Sequence, residues 1–131
     1  MCCIFSILNN HYSDQQIEFC FEKGSKRGPE KSDLVNFNNK KIILGFHRLA
    51  INGYQDPNAD QPFDLNNISL ICNGEIYNWK KLYSMMGVIG KSNSDCEVII
   101  HLYLKYGIEQ TVKMLDGVFS FILYDRTDNK V

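Results

Sequence analysis

Apolar residues in the first third of the chain predict a strand, a short helix and a second strand. Residues 2–8 are mostly apolar and predict a buried strand close to the amino terminus. Ser13, followed three residues later by Gln16, forms a capping-box pattern, so a short helix should begin there and end in the loop at 24–29. A run of apolar and β-branched residues at 41–46 predicts the next strand.

The middle of the chain carries a strong turn signal. Gly, Asp, Asn and Pro are frequent at 53–62, which predicts a surface loop. Farther on, Asn73-Gly74 separates an apolar run at 68–72 from a second strand-like run at 75–78. Asn-Gly between two such runs is typical of a type I′ turn, so we expect the chain to reverse direction at this dipeptide.

The last third of the chain predicts a pair of helices and a strand. Ser94 and Glu97 form a second capping-box pattern, in which the glutamate reaches back to the amide of the serine. The helix that follows should end at Gly107, and a second helical stripe continues beyond it. The run at 118–124 predicts a strand buried on both faces, and 125–129 predicts a hairpin turn. This order of elements favours an α+β domain with largely antiparallel sheets.

Composition and charge narrow the range of functions. The chain has 131 residues, enough for one domain, and its 15 acidic and 14 basic side chains give a formal net charge of -1. This balance disfavours a nucleic-acid binder, and the hydrophobic share of 44% excludes a disordered chain. No run approaches the roughly 20 apolar residues of a membrane-spanning helix, and the first residues lack the basic opening of a signal peptide. We therefore expect a soluble, cytoplasmic protein.

Five cysteines are present, at positions 2, 3, 20, 72 and 96. Their number is odd, no Cys-x-x-Cys pair occurs, and the three histidines have no zinc-like spacing with them, so we predict no metal site. Cys20, Cys72 and Cys96 are expected to be small, reduced residues of the core.

Cys2 and Arg48 are the first candidates for chemistry. Removal of Met1 would make Cys2 the amino terminus and would place a thiol and an α-amino group in one residue, a nucleophile with its own base. A cysteine also occurs near the start of many chains by chance. Arg48 lies in an otherwise apolar strand, where it could bind a substrate carboxylate through two hydrogen bonds or form a structural ion pair.

Asn73, Gly74 and Asp95 are the other candidates. The Asn73 carboxamide and the Gly74 backbone N–H could donate together to a developing oxyanion, and the alternative is a plain hairpin turn. Asp95 lies in the first turn of a predicted helix. A carboxylate is favourable there for the helix dipole alone, and ligand binding is the other interpretation. Each of these signals is weak by itself.

The same residues belong to short motifs that follow one another along nearly the whole chain. The motifs are Met1-Cys2-Cys3-Ile4-Phe5, Arg27-Gly28-Pro29-Glu30, His47-Arg48-Leu49-Ala50-Ile51, Gln61-Pro62-Phe63, Cys72-Asn73-Gly74-Glu75-Ile76-Tyr77-Asn78, Ser94-Asp95-Cys96-Glu97 and Leu115-Asp116-Gly117-Val118-Phe119. Together they resemble the glutaminase domain of class II glutamine amidotransferases, and in particular its asparagine synthetase branch.

The resemblance implies an N-terminal-nucleophile hydrolase fold, an αββα sandwich of antiparallel sheets. It also implies hydrolysis of glutamine to glutamate and ammonia. Cys2 would be the nucleophile, with its own α-amino group as general base. Asn73 and Gly74 would form the oxyanion hole.

For the substrate, the resemblance implies that Arg48 holds the α-carboxylate of glutamine and Asp95 its α-ammonium group. Glu75 would add a polar contact, and backbone groups around Ile51 would complete the site. The glutaminase step would need no cofactor. ATP and magnesium would belong to a synthetase domain that binds ATP and aspartate, a partner that this chain lacks.

Two of the chain's departures from the family pattern bear on activity. Cys3 replaces the usual Gly, so its side chain could crowd the nucleophile or offer a competing thiol. The other departure is length, since we expect residues 1–131 to form one glutamine amidotransferase type 2 domain that is incomplete at its carboxyl end. A truncated, inactive domain that serves as a binding module is therefore the alternative to a glutaminase.

Overall fold

The structure is a computed structural model that describes residues 2–51 and 56–131. Its strands are β1 (Cys3–Leu8), β2 (Lys31–Phe37), β3 (Ile42–Arg48), β4 (Phe63–Leu65), β5 (Ile68–Ile76) and β6 (Gly117–Asp125). Its α-helices are α1 (Asp14–Glu22), α2 (Trp79–Met86) and α3 (Val98–Met114). Short 3₁₀ turns lie at Ser25–Arg27, Pro57–Ala59 and Asp95–Glu97.

The strands form two three-stranded antiparallel sheets. In the first sheet β3 lies between β1 and β2, and its end pairs His47 with Cys3 and Arg48 with Lys31. In the second sheet β5 lies between β4 and β6. The predicted α+β class with antiparallel sheets is confirmed.

The two sheets pack face to face and carry helices on their outer faces. Successive side chains of β5 point to opposite sides, so Ile71 packs in one cluster with Leu44 and Phe46 of the first sheet. Leu70 faces the other way, in a second cluster with Ile99 of α3. Because α2 and α3 cover this outer face, the layers follow the αββα order that the resemblance implied.

Helix α1 covers the outer face of the first sheet through Phe21. The Phe21 ring stacks on His47 with 3.9 Å between the ring centroids. A Cβ at Gly45 would lie 2.7 Å from the same ring, so the helix approaches β3 where that strand has no side chain. His47 is fully buried, and its ring nitrogens lie at hydrogen-bond distance from Ser32 and from the Phe21 carbonyl oxygen, which makes it a structural residue.

The turn predicted at Asn73-Gly74 is wrong. Strand β5 runs through both residues, with Asn73 opposite Ser120 and Gly74 opposite Phe119 in β6. A Cβ at Gly74 would lie 2.3 Å from the carbonyl oxygen of Val118. The glycine therefore permits a close approach of two strands, and it does not reverse the chain.

Other local signals are confirmed. Ser13 and Gln16 make both hydrogen bonds of the capping box at the start of α1. Gly107 has φ 75° and ψ 172°, which ends the first part of α3 before a second helical part continues to Met114. The hairpin turn after β6 closes with a pair of backbone hydrogen bonds between Asp125 and Lys130.

The second capping box is confirmed only in its first half. The Ser94 hydroxyl accepts a hydrogen bond from the Cys96 amide, as a cap should. The Ser94 amide, however, donates to the hydroxyl of Ser92. Glu97 instead accepts from the amides of Lys91 and Ser92, because the loop before the turn folds over the carboxylate.

Three burial predictions need correction. Val118 is 66% exposed, and β6 is buried on both faces only toward its end, so the expectation for 118–124 is wrong in its first half. Cys20 is exposed on α1, whereas Cys72 and Cys96 are buried as predicted. The predicted surface loop at 53–62 falls partly outside the described residues, and its later part includes the buried residue Gln61.

Across the described part of the chain, none of the helices combines the length and the apolar character needed to span a membrane. The same residues contain no group of three or more His, Cys, Asp and Glu side chains arranged to hold a metal ion.

Candidate active site

A cavity of about 300 Å³ opens where β1 begins and where β3 and β5 end. This volume is at the lower end of the range for small-molecule sites. The seven site residues singled out in the sequence all line it. They are Cys2, Arg48, Ile51, Asn73, Gly74, Glu75 and Asp95. Residues far apart in sequence therefore meet at a single place.

The Cys2 thiol is held against the backbone at the end of β3. Its Sγ lies 3.3 Å from the N–H of Leu49 and 3.4 Å from the carbonyl oxygen of the same residue. Burial raises the pKa of the Cys2 thiol, and the Leu49 N–H and the charge of Arg48 lower it by less. The thiol is therefore neutral at neutral pH, and it needs a base to become a nucleophile.

Cys3 is the first residue of β1, and its side chain points away from the side on which Cys2 and Ile4 pack between the sheets. A Cβ added to Gly24 would lie 2.7 Å from the Cys3 Sγ and 2.9 Å from His47. Cys3 is also not among the residues that line the cavity. The structure therefore directs its side chain away from the candidate site.

Arg48 forms a structural ion pair, which is one of the two interpretations that the sequence left open. Its Nη1 donates to Asp60 Oδ1 at 2.6 Å and to the carbonyl oxygen of Asp56 at 3.4 Å. The Arg48 side chain is only 11% exposed, and it also lines the cavity. The guanidinium thus forms a structural ion pair and faces the space where a ligand would lie.

Asp95 enters the cavity from the 3₁₀ turn that precedes α3. It is 4% exposed, and its Oδ2 accepts a hydrogen bond of 2.6 Å from the Ile76 amide at the end of β5. This contact joins the turn to the strand that carries Asn73, Gly74 and Glu75. A buried carboxylate and the Arg48 guanidinium therefore supply opposite charges to one cavity.

Glu97 holds the loop that leads to Asp95. Its carboxylate accepts from the Lys91 amide at 2.8 Å and from the Ser92 amide and hydroxyl at 2.7 and 2.5 Å. His101 Nε2 lies 3.3 Å away on the next turn of α3. Burial raises the pKa of the Glu97 carboxyl, but these hydrogen bonds outweigh burial and lower the pKa to about 2. The buried carboxylate is therefore ionised and keeps the loop in place.

The Asn73 side chain lies at the cavity with an unpaired oxygen. Among the described residues, its buried Oδ1 has no hydrogen-bond partner. A buried polar atom without a partner is rare in folded proteins, and a catalytic role or a bound water is among its known explanations. Gly74 lies next to it, and Glu75 and Ile51 lie at the exposed mouth.

Sequence reasoning missed the role of Gln61. Gln61 is 6% exposed, and its side-chain amide forms two hydrogen bonds with the backbone of Cys72, donating to the carbonyl oxygen at 3.1 Å and accepting from the amide at 2.6 Å. Gln61 thus binds the backbone N–H and carbonyl groups of Cys72, the residue before Asn73 in β5, and it forms part of the cavity wall. In the sequence, Gln61 was indicated only as part of the motif Gln61-Pro62-Phe63. That motif does not show which backbone groups the Gln61 side chain will bind.

Comparison with known proteins identifies the family to which the chain belongs. The family model described as "Glutamine amidotransferase domain" matches residues 1–131. Curated relatives named asparagine synthetase [glutamine-hydrolyzing] include those of Gallus gallus, 42% identical over 118 residues, and Bos taurus, 43% identical over 118 residues. The protein of Homo sapiens is 42% identical over 114 residues. Each match covers 83% of this chain and 20% of the relative, so the chain spans about a fifth of the length of these relatives. The chain belongs to the glutamine amidotransferase domain family.

Proposed function

We propose that this chain hydrolyses glutamine to glutamate and ammonia at the cavity described above, with Cys2 as the nucleophile. The observation that carries the proposal is the meeting of the Cys2 thiol, the Arg48 guanidinium and the Asp95 carboxylate around one cavity of about 300 Å³. A free amino acid carries a carboxylate and an ammonium group on one carbon. A cavity that offers a cation and a buried carboxylate beside a thiol is complementary to such a molecule with a reactive side chain.

In this proposal the two charged residues select the amino-acid end of the substrate. Arg48 binds the α-carboxylate, since a guanidinium is planar and matches a carboxylate with parallel hydrogen bonds. Asp95 binds the α-ammonium group, and its tie to the Ile76 amide keeps it in place. Glu75 and the backbone near Ile51 add contacts at the mouth of the cavity. The side-chain carboxamide of glutamine then extends toward Cys2.

The chemistry begins with the amino terminus that removal of Met1 would expose. The α-amino group of Cys2, with an ordinary pKa of about 7.7–8.0, takes the proton of the thiol. The sulfur attacks the carboxamide carbon, and the side-chain amide of Asn73 and the N–H of Gly74 donate to the resulting oxyanion. The α-ammonium group of Cys2 then gives its proton to the amide nitrogen, the carbon–nitrogen bond breaks and ammonia leaves, so that a thioester remains on Cys2. Attack by water on the thioester releases glutamate and restores the thiol.

We further propose that the ammonia serves an asparagine synthetase reaction. The named activity of the curated relatives supports this, as does the identity of about 42% over most of this chain. The partner would be a synthetase domain that binds ATP, magnesium and aspartate, whereas the hydrolysis step itself uses no cofactor. The five cysteines are all unpaired, which fits a reducing compartment such as the cytoplasm.

Ammonia release from glutamine by the purified chain tests the proposal. Cys2→Ala should lower the rate by more than about 10³-fold, because it removes the attacking atom. Cys3→Ala is the matched control, since that thiol lies on the other face of β1, and it should keep the wild-type rate. Equal rates for Cys2→Ala and the wild type would refute the proposed mechanism. A wild-type chain that binds glutamine without releasing ammonia would instead support a binding module.

A further inference from the structure

Asp60 contacts Arg48 from outside the cavity. Its neighbours Ala59 and Gln61 line the cavity, but Asp60 is not among the lining residues. Its Oδ1 accepts a hydrogen bond of 2.6 Å from Arg48 Nη1, and the two side chains are 17% and 11% exposed. The ion pair is thus largely shielded from water, so the attraction between its two charges is screened less than in an exposed pair.

A second cation holds the other oxygen of the same carboxylate. Lys31 Nζ lies 2.6 Å from Asp60 Oδ2. Lys31 is directly opposite Arg48 in the pairing of β2 with β3, so the sheet itself fixes the spacing of the two cations. The Asp60 hydrogen bond raises the pKa of Lys31. Asp60 therefore bridges a cation that lines the cavity and a cation at the surface.

Two contacts fix one end of the Arg48 guanidinium. Asp60 and the carbonyl oxygen of Asp56 both accept from Nη1. Because a guanidinium is planar and rigid, two acceptors on one terminal nitrogen restrict the orientation of the whole group. Lys31 also compensates the charge of Asp60, which reduces the repulsion that Asp60 would exert on a second carboxylate bound to Arg48.

We propose that Asp60 is a positioning residue, which orients Arg48 for the α-carboxylate of the substrate and is itself held by Lys31. The inference rests on the proposed function, since it assigns Arg48 to that carboxylate. It differs from a purely structural ion pair in one measurable respect. A structural pair would affect folding without regard to which ligand is bound, whereas a positioning residue affects ligands that carry the α-carboxylate.

Asp60→Asn tests this, because it keeps the shape of the side chain and removes its charge. We expect the KM for glutamine to rise about tenfold, equal to about 1.4 kcal/mol, with kcat within about twofold of the wild type. The matched ligand is 4-aminobutanamide, which is glutamine without its α-carboxylate. Its inhibition constant in the same assay should change by less than about twofold. Substitution of Asp33, which contacts Lys31 at 3.3 Å but not Arg48, is the control variant, and Asp33→Asn should leave both constants unchanged.

Lys31→Met is the second variant, and it applies even if Asp60→Asn does not fold. It removes the cation that compensates Asp60, so the KM for glutamine should rise about threefold while the inhibition constant of 4-aminobutanamide stays the same. An unchanged or lower KM for glutamine in these variants would overturn the role of Asp60, and so would an equal change for glutamine and 4-aminobutanamide. If the wild type still released ammonia from glutamine, the proposed function would stand in either case. A wild-type chain that neither binds nor hydrolyses glutamine would overturn both.

Discussion

Replacing Glu97 by glutamine should lower the free energy of unfolding by about 3 kcal/mol at neutral pH. The structure places this carboxylate against the Lys91 amide, the amide and hydroxyl of Ser92, and His101. Burial opposes ionisation, but these contacts lower the pKa from 4.5 to about 2. At 1.36 kcal/mol for each pH unit, the lowering corresponds to about 3 kcal/mol that the neutral glutamine cannot supply.

The sign of the pH dependence follows from a pKa that folding lowers. The stabilisation by Glu97 is fully present above about pH 4.5 and is lost as the pH falls toward about 2, where the folded carboxyl takes up its proton. The difference between wild type and Glu97→Gln should therefore be constant from pH 7 to pH 5. It should narrow to about 2 kcal/mol near pH 3.5.

Urea unfolding followed by circular dichroism measures this difference. With an m value of about 2 kcal/mol/M, the variant should unfold at a urea concentration about 1.5 M lower than the wild type at pH 7. Glu109→Gln is the matched control, because Glu109 is exposed on the same helix, and its midpoint should not move. A Glu97→Gln midpoint within about 0.3 M of the wild type, or a difference that grows as the pH falls, would refute the reasoning.

Three further predictions follow from contacts in the fold and the site. Gly74→Ala should reduce ammonia release and lower the melting temperature, because the Cβ of the alanine would lie 2.3 Å from the Val118 carbonyl oxygen. Ser120→Ala, on the exposed side of the partner strand, is the control and should change neither quantity. Arg48→Lys should lower kcat/KM for glutamine by about 10- to 100-fold in steady-state assays, because lysine keeps the charge but loses the planar pair of donors; a change below twofold would contradict the assigned role. Phe21→Ala should lower the free energy of unfolding by about 3–5 kcal/mol in urea titrations, because it empties the space between α1 and β3; a loss under 1 kcal/mol would show that this packing matters little.

Signals that act over a few residues were predictable from the sequence. The Ser13 capping box and the helix break at Gly107 depend on neighbouring backbone groups, and both are found where the sequence indicated them. Burial of Cys72 and Cys96 was expected because free cysteines tend to lie in the core, and the same expectation was wrong for Cys20. The turn predicted at Asn73-Gly74 was wrong for a physical reason. Its turn propensity is local, but pairing with β6 along the whole of β5 stabilises the extended chain, and the glycine is needed there for a close strand contact.

The position of the candidate site residues could be predicted only through the ordered motifs. Arg48 and Asp95 are 47 residues apart in the chain, and no periodicity indicates that they share a cavity. The ion pair of Arg48 with Asp60 was not predictable at all, because several acidic residues were equally available in the sequence. Gln61 was missed for a similar reason, since its partners are backbone atoms of a distant strand.

Mapping the thiol that reacts with a glutamine analogue is the most direct test of the central claim. The analogue carries a diazo ketone in place of the carboxamide, so the attacking sulfur displaces nitrogen and keeps the label, and peptide mass spectrometry locates it. We expect loss of Met1 and a single label on Cys2 that excess glutamine prevents. Retention of Met1, or a label on Cys3, Cys72 or Cys96 with Cys2 unmodified, would contradict it.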